Sequence, residues 1–424
     1  MIFRISKDKL LKTNNMKSVL KTLTLSVFFL SSGFLTGYAQ DWPQWRGINR
    51  DGKVTGFKAP LTWQQKLNQS WKITVGLGDA TPALVKDRLY VFTKLGDNEI
   101  LQCLDASTGK PFWQSAGYPA AVVTGPASSH PGPRSSPVVS EGKVLTVGVD
   151  GDVACFDAST GKLLWRNEDY KGAVPMFFTG MSPLVQDGII YAHLGGPQTG
   201  QFIAFDLSSG AIKWKVEGEG PAYSSPVIMS IDGSKQIVFQ AQTKLVSFDL
   251  KDGRQLWEFA TPVGSGMVQK ATSPIVDQNK IYFTGLNNGF TAIEIKKDGG
   301  SFTVNKLWSN PDFSTSFSTP VLKDGFLYGL SNKNRLFCIN SGTGQTAWAD
   351  ETALQNFGSI VDGGSVIIVL TSNSNFVVLR PDGQKYNQIA LIKLIESSIY
   401  AHPILSGNRI YIKDKESLTL FTVN

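Results

Sequence analysis

The eleven residues CLDASTGKPFW, from Cys103 to Trp113, return 52 positions later as CFDASTGKLLW, from Cys155 to Trp165. Worn copies follow. AFDLSSGAIKW ends at Trp214, SFDLKDGRQLW at Trp257, AIEIKKDGGSFTVNKLW at Trp308 after an insertion, and CINSGTGQTAW at Trp348. Upstream of each stands a Ser/Thr-Pro pair leading into apolar residues: Thr81-Pro82, Ser136-Pro137, Ser182-Pro183, Ser225-Pro226, Ser273-Pro274 and Thr319-Pro320. Ser359-Ile360 opens a degraded copy and His402-Pro403 the last, so eight units start at intervals of 40 to 55 residues. A unit of that length cannot bury its apolar face alone, and short β-rich runs at this period point to a propeller.

The unit Ser136–Trp165 predicts four strands, 137–140, 143–149, 153–158 and 162–166, joined by tight turns. Asp150-Gly151 is a hairpin signal. In the turn Asp157 to Gly161, the Asp side chain can accept from amides two residues on, and Gly161 tolerates positive φ. The Trp behind each turn begins the outer strand, where its ring can wedge against the next blade; the docking set is Trp71, Trp113, Trp165, Trp214, Trp257, Trp308 and Trp348. The last unit supplies three strands before the sequence ends, and the stretch around Trp71 supplies the fourth. The expected fold is therefore all-β: an eight-bladed β-propeller of four-stranded antiparallel blades, the last blade closed by N-terminal and C-terminal strands, with no free sheet edge between blades. The STGK in the repeat is not a phosphate loop. That motif needs a Gly five residues before the Gly-Lys pair and a Ser/Thr after the Lys, and Phe156 and Leu163 stand there in one copy, Leu104 and Pro111 in the other.

The three cysteines, Cys103, Cys155 and Cys338, fill one slot of the repeat that Ala204, Ser247, Ala292 and Val378 fill elsewhere. Placed in separate blades they are too far apart to bridge, since a disulfide needs Cα atoms within roughly 7 Å, and three free buried thiols are expected.

The net charge of +7 comes mostly from the first residues. From Met16, two lysines precede an apolar run from Thr22 to Leu35 and small residues at Gly37 and Ala39, the order of a secretory signal cleaved after Ala39. Residues 1–15 read as an upstream extension, leaving either Met1 or Met16 as the start. Removing the six Lys/Arg and one Asp of residues 1–39 from 41 and 34 leaves 35 basic and 33 acidic residues, a net +2. That balance offers nothing to nucleic acid. After the signal, residues 40–68 form an N-terminal WPQWRG segment and 69–424 a single propeller, with no transmembrane segment left. No Cys stands at the cleavage point to carry a lipid. The expected location is periplasmic or secreted, and the expected state a monomer.

These units resemble the tryptophan-docking repeats of the pyrroloquinoline quinone (PQQ)-like propellers, the quinoprotein alcohol dehydrogenase-like fold. The opening DWPQWRGINRDG, Asp41 to Gly52, is similar to the WPxWRG start of many secreted proteins of that type, with Ile48 where a Pro is usual. A relative by fold is BamB, a scaffold of outer-membrane protein assembly. The resemblance implies the shape of the repeat rather than a cofactor. The dehydrogenases of the family carry an adjacent Cys-Cys pair against the quinone, which this chain lacks, so neither PQQ nor calcium is expected.

Four-strand meanders place the DASTGK hairpins on one face and the segments leading into each Ser/Thr-Pro on the other. The longest such segment, Gln114 to Pro137, contains His130 and Arg134. Others bring Met176, Phe177, Phe178 and Met181, then Tyr223, Met267 and Lys270, Phe313 and Phe317, and Tyr400 and His402, while His193 stands just after a second strand. His130, Arg134, His193, Tyr223, Lys270 and His402 are the candidate ligand-binding residues of a central funnel for a polar or anionic molecule; ordinary solvated loops are the alternative. The three histidines lack metal-ligand spacing, and no metal is expected. Trp42, Trp45 and Arg46 either cap one end of the axial channel or contribute to a partner site. The leading functional expectation is a non-catalytic binding or scaffold module with a protein partner or a small polar or glycan ligand. The alternative is an enzyme with its site in the funnel, a divergent quinoprotein dehydrogenase or a carbohydrate-acting enzyme; no catalytic residue is assigned.

Overall fold

In a computed structural model, residues 40–262, 270–352, 354 and 357–424 are described. The expected signal segment, with its expected cleavage point after Ala39, and Met267 lie outside them. Eight four-stranded antiparallel sheets follow one another around a ring. Blade 1 runs from Ala83–Val85 to Pro111–Gln114, blade 2 from Val138–Ser140 to Leu163–Asn167, blade 3 from Leu184–Gln186 to Ile212–Gly218, and blade 4 from Val227–Ile231 to Gln255–Ala260. Blade 5 runs from Ile275–Asp277 to Ser301–Asn310, blade 6 from Val321–Lys323 to Thr346–Ala349, and blade 7 from Gly358–Asp362 to Gln388–Lys393. Blade 8 consists of Ile404–Ser406, Arg409–Lys413 and Ser417–Thr422, and its outer strand is the N-terminal Asn68–Thr74, paired antiparallel to Ser417–Thr422. The strands of blade 2 fall within two residues of their expected limits.

Apolar cores lie between successive blades. Tyr90, Phe92 and Leu101 of blade 1 pack against Val144, Ala154 and Phe156 of blade 2, and the same pattern recurs around the ring. The three cysteines are free and buried in this layer.

The repeated hairpin explains how neighbours grip each other. Asp157 Oδ1 accepts from the amides of Ser159 and Thr160 at 3.0 and 2.9 Å and from both hydroxyls, which hold its carboxyl down at about 2. The turn this fixes ends in a left-handed glycine, and the glycine lies on the Trp of the preceding blade. Gly109, Gly161, Gly210, Gly253 and Gly344, with φ between +70° and +76°, sit on the rings of Trp71, Trp113, Trp165, Trp214 and Trp308 respectively. Several of these indoles also donate across the joint: Trp165 to Leu207 O at 3.0 Å, Trp214 to Leu250 O at 3.2 Å and Trp308 to Ser341 O at 2.9 Å. Trp257 differs, bonding within its own blade to Gln236 Oε1. A register shift falls beside the Trp in each of these outer strands.

A methyl group at Gly161 would collide with the Trp113 ring and force a left-handed φ on an L side chain. Gly161→Ala is expected to destabilise the protein by about 2–4 kcal/mol, from overpacking and backbone strain together. Urea midpoints at constant m would show it, and a shift below about 0.5 kcal/mol would refute the docking account.

Candidate functional site

The N-terminal segment enters the axis from the hairpin face. Asp41 accepts from the amide of Lys86 in a first turn of blade 1 at 2.7 Å. Trp42 exchanges main-chain bonds with Leu84 at 2.7 and 2.9 Å, and Pro43 O accepts from Val139 in blade 2 at 2.8 Å. Arg50 donates to Ser182 O and Pro183 O of blade 3 at 2.9 and 2.8 Å. Arg46 donates to Thr319 O and Pro320 O of blade 6 at 2.9 and 2.8 Å and to Asp51 O at 3.0 Å. Val54 and Lys58 then bond to Asp362 O of blade 7 and Gly407 O of blade 8 at 2.8 and 2.7 Å. Residues 40–58 thus touch six of the eight blades.

Arg46 and Arg50 are 1% and 5% exposed and pair with carbonyl dipoles rather than a carboxylate; burial lowers both guanidinium pKa values, to about 10 and about 9. Both sit at left-handed φ, 60° and 58°, a strain the surrounding bonds must hold. Trp45 lies edge-on to His402 at 4.4 Å between ring centroids. His402 is buried, and desolvation with the nearby charge of Arg46 pushes its imidazole well below the usual range.

Beyond the plug, the Ser/Thr-Pro residues form a ring of side chain to main chain bonds. Ser136 N donates to Ser182 Oγ, Ser182 N to Ser225 Oγ, Ser225 N to Ser273 Oγ and Ser273 N to Thr319 Oγ1, at 2.9 to 3.3 Å. His402 N donates to Thr81 Oγ1 at 2.9 Å. The hydroxyls of Ser182, Ser225, Ser273, Thr319 and Thr81 therefore tie blades 3, 4, 5, 6 and 1 each to the blade before it.

On the opposite face lies the axial mouth. His130 Nδ1 is 2.6 Å from Asp79 Oδ2, and Arg134 donates to His130 O at 2.7 Å. Burial lowers the guanidinium pKa of Arg134, with Asp79 and Tyr223 acting in the opposite sense. Tyr400 lies edge-on to His130 at 4.7 Å and to Phe357 at 5.8 Å, and Phe357 stacks on Phe317 at 4.3 Å. Tyr223, at φ 73°, accepts from Phe177 N at 3.1 Å and forms a parallel bridge with Lys270. Val122, Met176 and Tyr400, in the segments of this face, are 79%, 55% and 39% exposed.

The six candidate residues do not form one site. His130, Arg134 and Tyr223 share the mouth. His402 lies deeper, against the plug. Lys270 is buried, its ammonium bonded to Gln242 O at 2.7 Å and to Thr261, and desolvation lowers its pKa to about 8. His193 corrects the expected position: it lies inside the strand Ile189–Gly195 rather than after it, stacked on Phe202 at 4.1 Å and bonded to Glu219 O at 2.9 Å. Its burial between blades 3 and 4 pushes its pKa to about 4.

Two buried groups had no motif to reveal them, and Arg50, inside the DWPQWRGINRDG stretch, was not singled out with Trp42, Trp45 and Arg46. Lys413 donates to the carbonyls of Gly76, Gly78, Asp414 and Lys415 at 3.2, 3.0, 2.6 and 3.2 Å, tying the chain after the first strand to the last blade. Glu99, 2% exposed, accepts from Val149 N at 2.9 Å across the joint between blades 1 and 2. A side chain at Gly148 would strike both Glu99 Oε2 and Asp152 Oδ1, so the two carboxyls crowd one glycine. Asp152 is bound by Arg166 at 2.8 Å, which also lies over the Tyr118 ring at 4.0 Å. Burial, then the charge of Asp152, pushes Glu99 up to about 8.

The family model described as outer membrane protein assembly factor BamB matches residues 97–350. BamB of Moranella endobia (strain PCIT) is 22% identical over 350 residues, covering 78% of this chain and 82% of that protein. Among solved structures, BamB from Moraxella catarrhalis superposes with a TM-score of 0.64 at 15% identity, covering 84% of this chain and 98% of its own. A europium-containing methanol dehydrogenase gives 0.70 at 12% identity, covering 91% and 98%. These structural likenesses establish the eight-bladed fold.

Proposed function

Because this chain belongs to the family described as outer membrane protein assembly factor BamB, a family of PQQ-like propellers, we propose that it is a periplasmic or secreted monomeric scaffold that binds a protein partner and carries out no chemistry of its own. The observation that supports this reading is the division of labour along the axis. The hairpin end is filled by the chain's own residues 40–58, while the mouth face presents Val122, Met176 and Tyr400 to solvent. Exposed apolar side chains on the face that also carries His130 and Arg134 suit a protein contact. A quinone held by adjacent cysteines does not fit these residues, since Cys103, Cys155 and Cys338 are each buried in a different blade. Among the described residues no helix is long and apolar enough to cross a membrane.

The test is site-specific photocrosslinking in cells that export the protein. A photoreactive residue at Val122 or Met176 should give the same discrete protein adduct, lost in Tyr400→Ala, while one at Lys251 on the hairpin face should not. Equal labelling from Lys251, or saturable binding of PQQ with calcium by the purified protein, would overturn the reading.

A further inference from the structure

The mouth carries one group of side chains whose bonding is incomplete. His130 Nδ1 is held by Asp79, 2.6 Å away, and its Nε2 makes no hydrogen bond among the described residues. Arg134 is tied to the same loop through Nη2, which donates to His130 O at 2.7 Å and reaches Ala127 O at 3.5 Å, but its Nη1 is buried without a partner among the described residues. A buried guanidinium N–H left unpaired is costly, and a carboxylate is the group whose two oxygens match planar N–H donors. Asp79, whose Oδ2 serves His130, makes no hydrogen bond or ion pair with Arg134 among the described residues. Tyr400 stands edge-on to the imidazole at 4.7 Å, and Phe357 and Phe317 continue the aromatic wall.

We infer that Asp79, His130 and Arg134 form a subsite for a carboxylate borne on an aromatic or apolar side chain of the partner, with Arg134 as the anion donor, His130, its ring oriented by Asp79, donating from Nε2 in its imidazolium form, and Tyr400 as the wall for the attached apolar group. The assignment rests on the scaffold reading for its partner, but its chemistry is testable without one. The chain has three histidines, and two of them, His193 and His402, are buried. In protein labelled with ¹⁵N-histidine, those two signals serve as internal controls of the fold.

Benzoate is the probe, benzamide its uncharged analogue and acetate its analogue without a ring. Benzoate should move the His130 ring signals saturably, with a Kd of order 1 mM, leave His193 and His402 in place, and bind at least tenfold tighter than either analogue. Arg134→Gln should weaken benzoate at least tenfold while the two control signals stay unchanged. Should Arg134→Gln disturb those controls, Arg134→Lys, which keeps the charge but not the planar fork, should still weaken binding about threefold or more. An unmoved His130 signal, an equal response to benzamide, or undiminished binding in Arg134→Lys would each overturn the subsite. Crosslinking through Val122 and Met176 does not depend on the carboxylate, so a failed titration beside successful crosslinking removes the subsite and leaves the scaffold standing.

Discussion

Glu99→Gln should make the protein more stable at alkaline pH and leave it nearly unchanged in acid. The folded state holds Glu99 protonated up to about 8, through burial first and the Asp152 charge second. Raising an acid's pKa on folding means the native state binds its proton more tightly. The stability this provides is full below the unfolded carboxyl range and is lost as pH rises through the folded value. Wild-type stability should therefore fall by roughly 1 kcal/mol for each pH unit between about pH 5 and about pH 8 on account of this group. The charged and titratable neighbours are Asp152, Arg166 and Tyr118, with Arg166 Nε donating to Asp152 Oδ2 at 2.8 Å. The substituted amide keeps an acceptor for Val149 N and gains donors toward Asp152, so it stands in for the protonated acid without the titration. Urea midpoints at pH 5, 7 and 9 should converge for the two proteins in acid and separate in favour of the variant in base. Parallel curves would show that Glu99 is ionised in the native state.

The second large effect belongs to the plug. Arg46→Leu removes three hydrogen bonds from a charged donor and strands the carbonyls of Thr319, Pro320 and Asp51 in the axis. At about 1–3 kcal/mol for each buried acceptor left unpaired, partly relieved by relaxation, the loss should be about 3–5 kcal/mol. Limited proteolysis should then cut within residues 40–58, which wild-type protein protects. Equal stability and equal protection would mean that Trp42 and the main-chain bonds hold the segment unaided.

How legible these features were depends on how local their causes are. The hairpin turn is written in five consecutive residues, Asp157 to Gly161, because Asp, Ser, Thr and Gly each make their bonds within that stretch, so repetition exposed all eight blades. The axial plug was half legible: WPQWRG marked a distinct segment, but Arg46 and Arg50 find their acceptors 273 and 132 residues away, which no spacing rule reveals. His193 misled because strand limits are uncertain by a few residues, and one extension of the strand places its ring between blades. Glu99 was invisible because an acidic residue near a turn reads as solvated until a second blade covers it. Asp79 lies 51 residues from His130, and only the packing of blade 1 against blade 2 brings the two together.

The pairing of Asn68–Thr74 with Ser417–Thr422 spans 354 residues at its Asn68–Thr422 side-chain bond. Every other blade closes on hairpins of neighbouring sequence, contacts that form early and fast, whereas this one joins partners of the greatest separation and must bear the largest loop-closure entropy. Seven blades can assemble in succession as an open arc. The eighth gains its fourth strand only when both ends meet. Loop-closure entropy therefore favours making that joint after the local hairpins, and an arc not yet closed leaves Ser417–Thr422 with an unpaired strand edge.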